Sequence, residues 1–258
     1  MLITSRNNDL IKKVKSLNDK KYRNQYNQFI IEGEKMINEA IKEKIKIEYV
    51  FIEEGYNWGN NEFDSEKIIY VSSSVMEILS SLKNSPGVLA VAEKLPNRSV
   101  EEIDLSGEEL FLIIDNVQDP GNIGTIIRTA DSIGLKNIFI KEGSCDIYNP
   151  KVLRSTMGSI FRVECLTFSD NKELIQKLKS NNIKVYATNL NTNKSIYDVE
   201  FKNSAIVVGN ESNGVSEELL KLADEQIKIP MRGNTESLNV AIATSIILYE
   251  AFRQCIWL

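Results

Sequence analysis

The sequence contains no histidine. That absence removes His-based catalytic triads, His metal sites and an imidazole general base in one step. Any proton removal must use a carboxylate, a Lys, a Tyr, a Cys, water or the substrate itself. Cysteine is scarce: Cys145, Cys165 and Cys255 lie far apart, with no metal or redox spacing, and read as inert thiols. No G-x-G-x-x-G and no G-x-x-x-x-G-K-[ST] occurs, so the common dinucleotide fingerprint and the P-loop are unsupported. No apolar run approaches the roughly 20 residues of a transmembrane helix, so no membrane partner is expected. The first residues, MLITSRNNDLIKKVKSLNDK, lack an apolar signal region, and the expected location is the cytoplasm.

What is present is a chain of 258 residues, 42% hydrophobic, with a net charge of −5. The charge is uneven. Arg6, Lys12, Lys13, Lys15, Lys20, Lys21 and Arg23 crowd the first 23 residues against only Asp9 and Asp19. A basic segment on an acidic protein reads either as a phosphate-tracking patch or as a solvated helix face.

Periodicity divides the chain near residue 100. Leu10, Val14 and Leu17 form a helical stripe, and from Gln28 a small α/β unit follows, with strands at 29–31, 45–52, 67–71 and 88–92 and helices at 35–44 and 73–83. The polar stretch 54–65 reads as a surface loop. Residues 1–93 are thus a first domain, 94–109 a polar linker, and 110–258 a second domain. In the second, apolar strands at 110–114, 137–140, 163–166, 183–190, 205–208 and 226–229 alternate with helices. That alternation predicts a mainly parallel sheet with helices on both faces, and ligands at the carboxyl ends of its strands.

Three strand ends carry the polar residues. After Asp115 comes NVQDPGNIGTIIRTA, where Pro120-Gly121 makes a turn, Asn122 can cap a helix and Arg128 lies off its apolar stripe. After Val208 comes GNESNG, whose glycines allow close backbone approach, with Gly209 expected to admit a ligand. After Pro230 comes MRGNTESLN, leading into a helix near Leu238 that Asn234, Thr235 or Ser237 can cap.

These segments, N-x-x-D-P-x-N-x-G-x-x-x-R-T-A (116–130), V-x-G-x-E-x-x-G-V-S (207–216) and I-P-M-x-G-x-x-x-S-L-N-V-A (229–241), resemble the three motifs of the SpoU (TrmH) family. These are ribose 2′-O RNA methyltransferases of the SPOUT superfamily. QFIIEGEKMINEA (28–40) and SPGVLAVAE (85–93) resemble the family's RNA-substrate-binding domain. The resemblance implies a C-terminal trefoil knot, S-adenosylmethionine as cofactor, and a homodimer. It implies cofactor contacts at Thr188, Leu190, Gly209, Ile229, Met231 and Leu238, and catalytic positions at Asn122, Arg128, Glu211, Ser237 and Asn239. A guanidinium does not deprotonate in proteins, so Arg128 is read as a clamp on phosphate and 2′-oxygen, with the proton leaving through Ser237, Asn239 or water. The alternative for Arg128 is an ion pair with Asp131 or Asp115; Glu211 is expected to orient Arg128 or Asn122. RNA contacts are expected at Lys12, Lys13, Arg23 and Arg154, the last from a segment resembling one that faces RNA, with a structural helix Arg as its alternative. The substrate read by analogy is large-subunit (23S) ribosomal RNA. A tRNA substrate, or a non-catalytic RNA-binding protein of the same fold, are the alternatives.

Overall fold

The computed structural model describes residues 2–60, 63–107 and 110–256, with the side chains of Cys255 and Ile256 outside the description. The inert-thiol reading of Cys255 therefore falls outside the described residues, as do Asn61 and Glu62 of the surface loop and Glu108 and Glu109 of the linker. Neither Cys145 nor Cys165 forms a disulfide among the described residues.

The first elements in chain order are β1 (Leu2–Ile3), α1 (Asp9–Ser16), α2 (Lys20–Tyr26), β2 (Gln28–Glu32), α3 (Glu34–Lys42), β3 (Ile47–Glu53), β4 (Ile68–Val71), α4 (Ser73–Leu79) and β5 (Val88–Glu93). There follow β6 (Leu110–Ile114), α5 (Pro120–Ser132), β7 (Asn137–Lys141), α6 (Pro150–Thr156), β8 (Glu164–Phe168) and α7 (Asn171–Ser180). The last are β9 (Lys184–Thr188), β10 (Ser204–Val208), α8 (Glu217–Leu222), β11 (Glu225–Ile227) and α9 (Val240–Ile256). No helix among the described residues is long and apolar enough to cross a membrane.

The chain forms two compact units, residues 1–96 with 146–161, and residues 97–145 with 162–258. The first holds a mixed sheet in the order β1-β4-β3-β5-β2. Asn8 caps α1 by accepting from the amides of Leu10 and Ile11, and the helix buries Ile11, Val14 and Leu17 beside Phe51, Val71, Val75 and Met76. Asp19 caps α2, which stops where Asn27 turns left-handed at φ 53°.

Arg23 departs from its expected role as an RNA contact. It is 3% exposed, and its Nε and Nη2 donate to Asp146 Oδ2 at 3.1 and 2.7 Å. Its Nη1 donates to the carbonyls of Leu17 and Asn18 at 2.8 Å. A guanidinium committed to four such bonds is unavailable to phosphate; it fixes the corner between α1 and α2. Arg154 is likewise engaged within its unit, its Nη1 donating to Ser81 Oγ at 2.7 Å and lying 3.8 Å from Glu32 Oε1.

Two features of the sequence-based division differ in the structure. The segment 146–161, placed by sequence in the second domain, belongs to the first unit, where α6 packs on β2 and buries Val152 and Leu153. Its pattern reads like any crossover helix, so periodicity alone could not reassign it. The stretch read as a linker also contributes to the core. Val100, Ile103 and Leu105 are buried in the second unit with Phe111, Leu174 and Val185. Lys177 Nζ donates to the carbonyls of Val100, Glu101 and Ile103, fixing the turn to α7.

The second unit's sheet runs β11-β9-β10-β6-β7-β8, every pair parallel. Right-handed crossovers assign its two faces. The steps β8 to β9 and β10 to β11 run leftward, which puts α7 and α8 together on one face. There Leu174, Leu178 and Leu219 bury against Phe111, Ile113, Ala205 and Val207. The step β6 to β7 runs the other way, which puts α5 on the opposite face, where it packs with α9. The register pairs Ile114 with Val208, Val207 with Ala187, and Thr188 with Ile227. Strands β6, β10, β9 and β11 therefore end along one line, and their following loops share one edge.

Because the buried Arg23 bridges α2 to Asp146, Arg23→Ala should lower the stability of the first unit by about 3–5 kcal/mol, since it removes four hydrogen bonds and takes the cation from a half-buried carboxylate. Urea denaturation followed by Trp58 fluorescence in a Trp257→Phe background measures this. A loss under 1 kcal/mol would return Arg23 to the surface.

Candidate functional site

The site is assembled from loops at that edge, all in the second unit. Helix α5 opens with Asp119 as N-cap and Pro120 at its first position, Asp119 Oδ1 accepting from the amide of Asn122 at 2.9 Å. Asn122 is therefore not the cap expected from sequence. It is the third helical residue, and its side chain is left for other partners. The Asp-Pro pair was the available signal, because Pro fits the first helical position and Asp the cap before it.

The 209–215 loop is a small hairpin. Asn210 and Gly214 exchange backbone bonds of 2.9 Å, and Asn210 Oδ1 accepts from the amides of Ser212 and Asn213 at 2.9 and 3.1 Å. A Cβ on Gly209 would lie 2.1–2.3 Å from the backbone of Gly214 and Val215. The glycine is thus required by the loop's own closure, a constraint that stands apart from any contact with a ligand. The hairpin aims Glu211 at the start of α5. Its carboxylate accepts from the amides of Gln118 (3.2 Å) and Asp119 (3.1 Å) and from Asn122 Nδ2 (2.9 Å). Asn122 Oδ1 in turn accepts from Asn239 Nδ2 at 2.9 Å. Asn239 Oδ1 then caps α9, accepting from Ala241 and Ile242 at 2.9 and 3.3 Å. The α9 cap is thus Asn239, not Asn234, Thr235 or Ser237.

Partial burial pushes the Glu211 carboxyl up, but the hydrogen bonds from Asn122 and from backbone amides outweigh it and hold the group below its ordinary 4.5. A depressed acid stabilises the folded state above its ordinary value and loses that contribution as pH falls through the depressed one. Glu211 is therefore ionised at neutral pH and accepts these hydrogen bonds as a carboxylate.

Two residues not singled out from the sequence support this chain. Asn210 Nδ2 donates to the carbonyl of Asn116 (2.9 Å), a residue held at φ 60°. Gln118 Nε2 donates to Asn116 Oδ1 and to the carbonyl of Gly143, both at 2.7 Å. Both occupy variable positions of the motifs, so nothing in the pattern marked them.

Arg128 is exposed on α5 and has no hydrogen bond or ion pair among the described residues. Neither proposed ion-pair partner engages it. Asp131 is taken by Arg162 at 2.9 Å, and Asp115 by Lys141 at 3.6 Å and the Ser216 amide at 2.7 Å. Glu211 orients Asn122 and makes no bond to Arg128.

Beside the chain from Glu211 to Asn239 opens a cleft of about 600 Å3. Thr188, Leu190, Gly209, Ile229, Met231 and Leu238 all line it, together with Ser237 and Asn239. Its walls include Val215, Leu220, Ile227 and Val240. The amides of Ile229, Met231 and Leu238 have no hydrogen-bond partner among the described residues. Lys12, Lys13 and Arg154, by contrast, lie in the other unit.

The model of the SpoU rRNA Methylase family matches residues 109–249, more than half the chain. The chain belongs to this family. An MRM3-like substrate binding domain matches residues 8–90 of this SpoU protein. It is 32% identical over 249 residues to a 23S rRNA (guanosine(2553)-2′-O)-methyltransferase of Bacillus subtilis, covering 96% of this chain and 98% of that one. Its fold is similar to an AdoMet-bound rRNA methyltransferase from Sinorhizobium meliloti, with TM-score 0.89, 29% identity and coverage of 98% and 97%. A TrmH/SpoU tRNA modifying enzyme of A. aeolicus is similar over 58% of this chain and 76% of that one, with TM-score 0.51 and 31% identity.

Two glycines of this SpoU member separate loop closure from mere exposure. Gly209→Ala should cost about 1–3 kcal/mol through overpacking. Gly233→Ala, where a Cβ meets nothing within 4 Å, should stay within about 0.5 kcal/mol of wild type. Urea denaturation of both variants checks this, and equal stabilities would contradict the role given to Gly209.

Proposed function

We propose that the protein transfers a methyl group from S-adenosylmethionine to a ribose 2′-oxygen of RNA. The observation that carries the reading is the hydrogen-bonded chain Glu211–Asn122–Asn239 along the rim of an apolar cleft with free backbone donors. The cleft fits the cofactor: Val215, Leu220, Leu238 and Val240 offer apolar cover for a purine, and the amides of Ile229, Met231 and Leu238 offer donors to its polar edge. When bound, S-adenosylmethionine supplies a methyl carbon made electrophilic by its sulfonium.

The chain's own residues position the acceptor. Asn122 is oriented at both ends of its amide and presents a fixed polar surface. Arg128, unpaired among the described residues, clamps the target phosphate and 2′-oxygen. Asn239 was one of three expected routes for the proton, but its amide oxygen is spent on the α9 cap and its nitrogen on Asn122. As the 2′-oxygen takes the methyl carbon, its proton passes to water, directly or through the Ser237 hydroxyl, which is exposed at the cleft and relays one proton as it receives another.

Large-subunit ribosomal RNA is the substrate class we favour, and with it a cytoplasmic location. The likeness to the Bacillus subtilis enzyme spans both units, whereas that to the tRNA-modifying enzyme leaves much of the chain unmatched. A trefoil knot is supported by the loop after β9, which straddles the last strand: the Asn189 amide donates to Ile227 O and the Lys228 amide to Lys194 O, both at 2.9 Å. Gln254 of α9 accepts from the Phe201 amide at 2.9 Å, drawing the last helix against the same segment. A homodimer is supported by Ile242 and Tyr249, 54% and 51% exposed and two helical turns apart on one face of α9.

Arg128→Ala should leave cofactor affinity within about twofold and lower methyl transfer to rRNA by about 100-fold or more, the scale for removing one charged transition-state contact. Calorimetry with S-adenosylmethionine and transfer of labelled methyl measure the two. Turnover surviving within a few-fold would make Arg128 structural.

A further inference from the structure

Resting on the reading of the protein as an RNA methyltransferase, we infer that the corner between α1 and α2 is a pocket for an unpaired nucleotide, with Tyr22 as its stacking platform. The corner encloses an open concavity of about 630 Å3 lined by Lys12, Lys15, Ser16, Asn18, Asp19 and Tyr22. It is rigid by construction, because α1 is anchored by Ile11, Val14 and Leu17, and the turn by the four hydrogen bonds of Arg23.

Three observations point to one ligand chemistry. The rings of Tyr22 and Tyr26 lie one helical turn apart and near-parallel, 6.3 Å between centroids at 16°. Lys21 Nζ stands 5.6 Å from the Tyr22 centroid and Lys13 Nζ 4.9 Å from that of Tyr26, so both rings are flanked by cations. Lys12, Lys15, Lys20 and Lys21 are exposed, and of these only Lys12 has an ion pair among the described residues, an exposed one to Asp9. Finally, Asn18 Nδ2 donates to the Lys15 carbonyl at 3.2 Å, while its Oδ1 is buried without a partner. A base offers what each element lacks: a flat face for Tyr22, an N–H for Asn18 Oδ1, and adjoining phosphates for Lys12, Lys15 and Lys21. A duplex does not, because its bases are already stacked and paired. An acidic peptide would satisfy the lysines and leave the ring and the amide oxygen idle.

The test uses the full-length protein, with a fluorescent single-stranded 12-mer RNA and a 12-base-pair RNA duplex as probes. The single strand should bind more tightly. Tyr22→Leu should weaken it about tenfold, the loss of one base stack, while Tyr22→Phe stays near wild type. Lys12→Gln with Lys15→Gln should reduce the slope of log affinity against log salt by about 1.4, from two phosphate contacts. Thermal unfolding of each variant separates lost contact from lost fold. Equal binding of both probes, or single-strand binding unchanged in a folded Tyr22→Leu, would overturn the pocket. Methyl transfer to bulk rRNA by the wild type is measured alongside. Transfer with Tyr22-independent binding overturns the corner alone, whereas no transfer and no RNA binding overturns the methyltransferase reading with it.

Discussion

One carboxylate holds the site together. Glu211 sits after β10 but accepts every one of its closest hydrogen bonds from the segment after β6, and through Asn122 it reaches the cap of α9. Three loops far apart in sequence thus share one chain of donors and acceptors. The arrangement works because the parallel register ends β6 and β10 side by side. A shift of one strand by a residue would turn every side chain on it to the other face and carry Glu211 away from α5. Partial burial alone would raise its pKa, and the converging N–H groups reverse that, so the ionised form is the one the loop geometry selects.

The rest of the site uses backbone more than side chain. Gly209 lets the hairpin close on itself, and Ile229, Met231 and Leu238 line the cleft with amides that pair with no ladder among the described residues. Such a wall needs its strand ends held rigidly, because backbone cannot change rotamer to follow a ligand. The bonds from the loop after β9 to Gln226, Ile227 and Lys228 supply that restraint, as does the Asn189–Gln226 side-chain bond at 2.8 Å.

Much of this was legible in the residues. The β6 strand falls on residues 110–114 as read, because a continuous apolar run between polar segments leaves little room for another boundary. One polar residue from each of the three strand-end loops, Asn122, Glu211 and Asn239, meets the others as expected, since short parallel strands force their loops to one edge. What was not legible depends on tertiary partners. Arg23 looks like one more cation in a basic segment, and only Asp146, 123 residues away, turns it inward. Val100, Ile103 and Leu105 follow no regular period, so the polar residues between them hid a piece of core. The α6 helix has the spacing of a crossover helix, and its strand partner lies more than a hundred residues earlier, beyond the reach of any local pattern. The cap of α9 was misread because Asn239 follows the apolar Leu238, which by period looked already helical.

The most direct measurement of the central claim is the chemical position of the transferred methyl. Purified protein, S-adenosylmethionine carrying a labelled methyl and unmodified ribosomal RNA are combined, and the product is hydrolysed in alkali. A 2′-O-methyl ribose cannot assist cleavage of its own phosphodiester, so the account predicts that the label remains in an alkali-resistant dinucleotide. Label recovered in mononucleotides, on a base, or absent from RNA altogether would contradict it.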